Sequence, residues 1–187
     1  SGHSDAMLGY VAAQDPAHQS AITGTAVTLG LTPSPFDCWL AERGLMSFPL
    51  RYDQAERNAA ALADALSVLP GVRRVVYPGR HDHPDHNRAA SLLGSRGGHM
   101  VSFEIDGGRA AANALVRGAP DIAFAPTLGD IGTTLSHPAT SSHRALDPAV
   151  REARGMGEGF FRVSVGVEDA DTLVGAFERA VALSQTG

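Results

Sequence analysis

The chain has 187 residues, of which 43% are hydrophobic and 19% charged, which suits one folded domain or parts of two and excludes a disordered or fibrous protein. Its 15 basic and 20 acidic side chains give a formal charge of −5, and no apolar stretch approaches the ~20 residues that cross a bilayer, so nucleic acid and membrane are not expected partners. A single cysteine, Cys38, excludes an internal disulfide, and a cytoplasmic protein that acts on small molecules is expected.

The N-terminal third is predicted to contain one strand, one loop and a long helical segment. Residues 7–13 (MLGYVAA) favour a short buried strand, and residues 23–32, rich in Gly and Thr, favour an ordered loop. Ser34 before Pro35 predicts a helix start, because serine caps free N–H groups and proline suits the first turn. We expect this helix to pause near residues 44 and 49 and to continue to residue 69. Its first turns are expected to bury their apolar side chains: Phe36, Cys38, Trp39 and Leu40. In its second part the apolar side chains that recur at three- and four-residue steps are expected to face the core: Ala55, Ala59, Leu62, Ala63, Leu66 and Leu69.

After residue 70, short predicted strands alternate with predicted helices. Strands are predicted at residues 72–77, 100–105, 122–125 and 160–165. Helices are predicted at residues 84–93, 109–116, 148–154 and 170–183, the last capped by Asp169 or Asp171. Strands separated by helices predict an α/β fold in which helices cover a sheet. Residues 35–69 are expected to connect an N-terminal segment, residues 1–34, to a compact domain, residues 70–187.

Arg162 is the first candidate for chemistry. Strand alternation places Phe161 and Val163 on one face and Arg162 on the other. There the guanidinium can bind a carboxylate or a phosphate. The alternative is an arginine paired with Glu168 or Asp169 at the edge of the sheet.

Two further segments concentrate polar side chains. Residues 127–144 form a predicted loop whose hydroxyl groups either line a site or cap turns, and the neighbours Ser136 and His137 make a poor nucleophile and base because adjacent residues rarely face each other. Residues 81–86 (HDHPDH) contain metal-ligand residue types, but a helix start and an exposed surface are favoured over a metal site.

All 15 basic residues are arginines. The chain therefore has no lysine, and no side-chain amine can complete a mechanism that needs an imine to the protein.

Nine short segments, taken in chain order, together resemble the Cys/Met-metabolism (trans-sulfuration) enzymes that depend on pyridoxal phosphate. They are GHSD (2–5), SPFD (34–37), RGL (43–45), YPG (77–79), HPDH (83–86), GG (97–98), TLGD (127–130), SHPATSSH (136–143) and RVSVGVED (162–169). The family includes cystathionine γ-synthase, cystathionine lyases, methionine γ-lyase and O-acetylhomoserine sulfhydrylase. The resemblance covers essentially the whole chain.

The resemblance implies the C-terminal portion of a fold-type I enzyme dependent on pyridoxal 5′-phosphate, with a small helix-covered sheet domain. Residues 1–34 are then a remnant of the large cofactor-binding domain, and the lysine that holds the cofactor is expected upstream of Ser1. No catalytic, cofactor-binding or metal-binding residue is expected in this chain. Arg162 is expected to bind the α-carboxylate of the substrate, assisted by Thr127, which stands where the family usually has serine.

The function implied is β- or γ-elimination, or γ-replacement, on sulfur-containing or O-acyl amino acids. The implied partners are a small amino-acid substrate, the N-terminal half of the same enzyme, and further copies in a homo-oligomer such as a homotetramer. The chain alone is expected to be inactive. The alternative is a non-catalytic α/β module that lacks the cofactor lysine and binds a partner or a carboxylate ligand.

Overall fold

The computed structural model describes residues 2–186, and the chain divides into two units, Ser1–Pro49 and Leu50–Gly187. The N-terminal unit contains α1 (Pro16–Leu29) and α2 (Pro35–Met46). Asp15 caps α1 by accepting the N–H of Ala17, and Gly30 ends it with a φ of 66°. The predicted start of α2 is confirmed, since the Ser34 hydroxyl accepts the N–H of Asp37.

Three predictions for this unit are wrong. Residues 7–13 form no strand and are largely exposed, because residues 2–49 contain no strand that could pair with them. Residues 23–29 belong to α1 instead of a loop, since the Asp15–Pro16 start signal outweighs the low helix propensity of Gly and Thr. Cys38 is exposed instead of buried, as are Phe36 and Trp39, because two helices do not enclose a core; among residues 2–49 only Gly44 is buried.

The C-terminal unit is a five-stranded mixed sheet with helices on one face. Helix α3 (Phe48–Ser67) begins just before this unit, and its apolar residues at three- and four-residue steps are buried as predicted. The strands are β1 (Val72–Val76), β2 (Met100–Ile105), β3 (Ala123–Phe124), β4 (Thr134–Ser136) and β5 (Phe160–Ser164). Their order in the sheet is β1-β2-β5-β4-β3, and only the β3–β4 pair is parallel.

The remaining helices are α4 (His86–Leu93), α5 (Gly108–Gly118), α6 (Pro148–Ala153) and α7 (Ala170–Ser184). The Asp169 carboxylate caps α7 by accepting the N–H of Thr172. The predicted helices and strands after residue 70 are therefore confirmed to within about three residues. Strand β4 is an addition, because residues 127–144 were predicted to be a loop. None of the helices among residues 2–186 combines the length and apolarity that a membrane span needs.

Strand alternation divides the sheet into an apolar and a polar face. Val101, Phe103, Leu135, Phe161 and Val163 are almost fully buried in one core together with apolar residues of α3, α5 and α7. The opposite face carries mostly polar side chains: Ser102, Glu104, Thr134, Ser136, Arg162 and Ser164. The predicted α/β fold with a helix-covered sheet is confirmed, and the polar face is where ligand chemistry is available.

Candidate carboxylate-binding site

Arg162 lies at the middle of β5, near the centre of the polar face. Its neighbours in the register are Ser102 on β2 and Ser136 on β4. Phe161 and Val163 on either side of it are fully buried in the core. The buried strand therefore fixes the backbone from which a partly exposed guanidinium projects.

The Arg162 guanidinium has few internal partners. Its Nη2 donates to the backbone oxygen of Thr127 at 3.3 Å. Its Nε is shielded from solvent and has no hydrogen-bond partner among residues 2–186. A buried donor without a partner costs about 1–3 kcal/mol, so this atom is suited to a ligand acceptor.

The alternative of an ion pair at the sheet edge is wrong. The Glu168 carboxylate accepts the hydroxyl of Thr133 at 2.8 Å and the N–H of the same residue. The Asp169 carboxylate accepts the N–H and hydroxyl of Thr172, both at 2.9 Å. These hydrogen bonds lower the pKa of Asp169. Within the described part of the chain, Arg162 forms no ion pair and can offer its charge to a carboxylate ligand.

Thr127 lies next to Arg162, but its backbone makes the contact. Its carbonyl oxygen accepts Arg162 Nη2 and also the hydroxyl of Thr134, each at 3.3 Å. The Thr127 side chain is exposed and makes no hydrogen bond within residues 2–186. The structure thus brings the two predicted site residues together and leaves the Thr127 hydroxyl available.

The loop that contains Thr127 is attached to β5 by a second bond. The buried hydroxyl of Ser164 accepts the N–H of Gly129 at 2.9 Å. Gly129 has a φ of 79°, which favours glycine, and this turn directs its N–H toward β5. Strand alternation places Ser164 on the same face as Arg162, but nothing in the sequence alone indicates that its hydroxyl holds the 127–129 loop.

The segment that follows β5 is occupied by internal contacts. The N–H of Gly166 donates to the Thr133 hydroxyl at 2.9 Å, and a methyl group on Gly166 would overlap the carbonyl oxygen of Ile131. The buried amide of Asn58 donates to the backbone oxygens of Gly166 at 3.0 Å and Glu168 at 2.7 Å. In residues 162–169, the Glu168 and Asp169 carboxylates therefore each accept hydrogen bonds from a threonine, whereas the Arg162 guanidinium makes a single hydrogen bond, to the Thr127 oxygen.

His137 and Ser136 serve the fold and do not pair with each other. The Ser136 hydroxyl donates to the Arg162 backbone oxygen at 3.3 Å. The His137 Nε2 lies 2.9 Å from the backbone oxygen of Glu158, so Nε2 is assigned the proton, and Nδ1, 3.0 Å from the Thr140 hydroxyl, accepts. Burial lowers the pKa of His137, which favours the neutral ring.

Glu158 forms ion pairs with two arginines in the same region, and the sequence did not reveal this network. Its carboxylate accepts hydrogen bonds from Arg109 and from Arg151, whose Nη2 lies 2.5 Å away. Burial alone would raise the pKa of Glu158, but the hydrogen bonds and charges of the two arginines hold it below its usual range. Arg151 is 6% exposed, whereas the side chains of Arg109 and Glu158 are 44% and 35% exposed, so only the Arg151 end of the network is buried.

The histidine-rich segment shows no metal-ligand geometry. Within residues 2–186, no group of three or more His, Cys, Asp or Glu side chains is placed to hold a metal ion. The His83 Nδ1 accepts the N–H of Asp85 at 3.1 Å, and the rings of His81 and His86 contact each other with centroids 4.8 Å apart. These contacts stabilise the turn before α4.

Tyr77 explains two glycine-containing segments. It is 3% exposed, and burial raises its pKa to about 12, so its hydroxyl remains a donor, to the Gly98 oxygen at 2.9 Å. A methyl group on Gly79 or on Gly97 would collide with its ring. In the N-terminal unit, GHSD and RGL residues line one cavity of about 260 Å³. The YPG and GG segments therefore act through packing on Tyr77, whereas the GHSD and RGL segments line a cavity.

Comparisons with known proteins point to one enzyme family. A sequence model of the family described as "Cys/Met metabolism PLP-dependent enzyme" matches residues 1–182. The O-succinylhomoserine sulfhydrylase of Pseudomonas aeruginosa is 38% identical over 175 residues, covering 94% of this chain and 43% of the relative. The cystathionine gamma-synthase of Escherichia coli is 32% identical over 186 residues, covering 100% of this chain and 48% of the relative.

Solved structures match as well. The crystal structure of cystathionine gamma-lyase from yeast superimposes with a TM-score of 0.92 at 34% identity, covering 98% of this chain and 47% of that one. Cystathionine gamma synthase from Xanthomonas oryzae, solved with aminoacrylate and cysteine, gives a TM-score of 0.89 at 35% identity, covering 99% of this chain and 48% of that one. This chain spans about half the length of the curated relatives it matches.

Proposed function

Because the chain belongs to the Cys/Met metabolism family of enzymes that depend on pyridoxal phosphate, we propose that it supplies the substrate-carboxylate site of such an enzyme. The complete enzyme eliminates or replaces a group at the β or γ carbon of a sulfur-containing or O-acyl amino acid. The observation that carries this proposal is the Arg162 guanidinium, which has no internal ion pair among the described residues and a buried Nε without an acceptor.

The family's cofactor is pyridoxal 5′-phosphate, which supplies an electron sink when it is bound. The residues of this chain do not fit its covalent attachment, because the 187 residues include no lysine. We therefore assign none of them to holding the cofactor. In this proposal the N-terminal half of the same enzyme provides the attachment, and residues 1–34 belong to the large domain.

Arg162 acts by binding and orienting the substrate. Its Nε and one Nη present two N–H groups in a plane, which matches the two oxygens of a carboxylate. Holding the carboxylate fixes the rotation of the substrate about the bond between its α carbon and nitrogen. Thr127 is exposed and its backbone oxygen contacts the same guanidinium, so its hydroxyl is the proposed second donor for that carboxylate.

The N-terminal half and further copies of the chain are the proposed protein partners. Many large apolar side chains of the N-terminal unit are exposed, among them Met7, Tyr10, Val27, Phe36 and Trp39. Large apolar side chains exposed in such number mark a contact site. A non-catalytic module remains the second candidate function, and the missing lysine is the observation that favours it.

Arg162→Ala in the complete enzyme tests the proposal. Charge-assisted hydrogen bonds contribute about 1.5–3 kcal/mol each, so kcat/KM is expected to fall at least roughly tenfold. Arg179→Ala is the matched control, since Arg179 is an exposed arginine of α7 and forms no ion pair within residues 2–186. Steady-state assays of sulfur-containing and O-acyl amino acids measure both variants. Equal kcat/KM in the Arg162 variant and wild type contradicts the proposal.

A further inference from the structure

The buried hydroxyl of Ser164 connects the strand that carries Arg162 to the loop that receives its guanidinium. Ser164 lies two residues after Arg162 on the same face of β5 and is 1% exposed. We propose that Ser164 is a positioning residue for the carboxylate site: it fixes the 127–129 loop and thereby the direction of the Arg162 guanidinium. This inference rests on the proposed function and goes beyond it.

One hydrogen bond attaches the 127–129 loop to strand β5. Gly129 donates its backbone N–H to the Ser164 hydroxyl at 2.9 Å, with no side chain between them. Glycine permits the φ of 79° that directs this N–H toward β5. Because Ser164 sits on a central strand and is almost fully buried, its hydroxyl is a rigid anchor for an otherwise exposed turn.

A second hydrogen bond connects the same loop to the Arg162 guanidinium. Thr127, two residues before Gly129, accepts Arg162 Nη2 at its backbone oxygen, 3.3 Å away. The Thr134 hydroxyl reaches the same oxygen from β4, also at 3.3 Å. Arginine has a long side chain with many rotamers, and fixing one Nη selects among them. In the selected rotamer Nε is buried and has no hydrogen-bond acceptor among residues 2–186.

Loss of the Ser164 hydroxyl is therefore expected to act through Arg162. Without it the Gly129 N–H has no acceptor at that position, and the 127–129 loop moves to satisfy it. The Thr127 oxygen moves with the loop, and the guanidinium loses its orientation. Binding of the substrate carboxylate is weakened, while the core on the other face of β5 is unchanged.

Ser164→Ala in the complete enzyme is the test. We expect KM for the amino-acid substrate to rise about three- to tenfold, the range for one lost hydrogen bond. Ser184→Ala is the matched control, because Ser184 is also a buried serine, 4% exposed, and its hydroxyl donates to the Val181 oxygen at 2.7 Å, on α7. A merely structural defect lowers the active fraction and hence the apparent kcat, but it leaves KM unchanged.

A double-mutant cycle tests whether Ser164 acts through Arg162. In an Arg162→Ala background, adding Ser164→Ala is expected to change KM less than about twofold, because the group it positions is gone. Fold-changes that multiply in the double variant overturn the inference, and so does an unchanged KM in the single variant. If Ser164→Ala does not fold, Ser164→Cys, with its weak sulfur acceptor, is read by the same outcomes.

The proposed function and this inference fail differently. A wild-type complete enzyme that turns over no sulfur-containing or O-acyl amino acid contradicts the proposed function and, with it, the inference. An active wild type whose KM depends on Arg162 but not on Ser164 contradicts only the positioning by Ser164.

Discussion

Arg162 illustrates what one side chain reveals once its neighbours are known. The sequence places it on the polar face of a strand, but the same sequence offers Glu168 and Asp169 as counter-ions. The structure decides the choice because both carboxylates are occupied, by Thr133 and by the start of α7. Sequence spacing shows which residues are close along the chain, whereas competition for hydrogen bonds depends on the folded loops.

His137 shows why a polar residue in a family-like segment need not perform chemistry. It is 2% exposed, and both ring nitrogens contact internal groups, the Glu158 oxygen and the Thr140 hydroxyl. The sequence already argues against a catalytic base, because His137 follows Ser136 directly and adjacent residues rarely face each other. Its burial and its two internal partners show that the ring serves packing and hydrogen bonding instead.

The stability of the chain is expected to depend on pH through His137. Burial lowers the pKa of its imidazole in the folded state, whereas the unfolded chain titrates near the ordinary value of about 6.5. Below that pH the unfolded state binds more protons, so stability falls as the pH drops from about 7 toward the lowered folded pKa. Above pH 7 both states are neutral and this contribution is constant.

His137→Gln tests that dependence in urea unfolding between pH 5.5 and 8. The variant is expected to lose about 1–3 kcal/mol at pH 7.5, where hydrogen bonds of His137 are removed. It is also expected to show a weaker fall in stability below pH 7 than wild type. His18→Gln, at an exposed position of α1, is the control. An identical slope in wild type and in His137→Gln contradicts the assignment.

The elements show where sequence patterns suffice. Apolar spacing in α3 and alternation in β5 predict buried faces that the structure confirms, because each pattern alone specifies one face. Strand β4 was missed because its three residues are too short for a period and depend on pairing with β5. The strand predicted at residues 7–13 does not form, because its apolar residues find no strand among residues 2–49 with which to pair.

Position 166, where the end of β5 passes close to the 131–133 loop, is expected to require glycine. A methyl group at position 166 would overlap backbone atoms of Ile131 and Gly132, which cannot rotate away as a side chain does. Gly166→Ala is therefore expected to destabilise the chain by about 1–3 kcal/mol, as overpacking does.

Gly175→Ala is the control for that substitution. Gly175 lies within α7, and an added methyl group meets only the flexible end of Arg179, at 3.3 Å. Its replacement is expected to be neutral or to stabilise by up to about 1 kcal/mol through helix propensity. Urea denaturation of both variants gives the comparison, and a Gly166 variant as stable as wild type contradicts the account of this crossing.

Across the whole chain, the C-terminal unit has a well-enclosed core, whereas the described residues of the N-terminal unit have none. Only Gly44 is buried among residues 2–49, and Tyr10 is 94% exposed. Helix propensity and capping therefore define α1 and α2, but their apolar residues need a partner to be covered. This is why the sequence predicted the start of α2 correctly and the burial of its side chains incorrectly.

The isolated 187-residue chain is accordingly expected to self-associate. Analytical ultracentrifugation at increasing concentration is expected to show a rising average mass. Replacing the stacked pair Phe36 and Trp39 by serine is expected to reduce that rise, because this removes apolar area from the exposed surface. Val68→Ser, at a side chain 78% exposed in the C-terminal unit, is the control. An ideal monomer at high concentration contradicts the expected association.

The most direct measurement is a crystal structure of the complete enzyme with a non-reacting amino-acid analogue bound. The account predicts that the analogue's carboxylate oxygens lie at hydrogen-bond distance, about 2.7–3.2 Å, from Arg162 Nε and one Nη. Thr127 O is then still in contact with the guanidinium, and Ser164 still holds Gly129. A carboxylate bound elsewhere, with the Arg162 guanidinium turned away from it or paired with a carboxylate of the enzyme itself, would contradict the account.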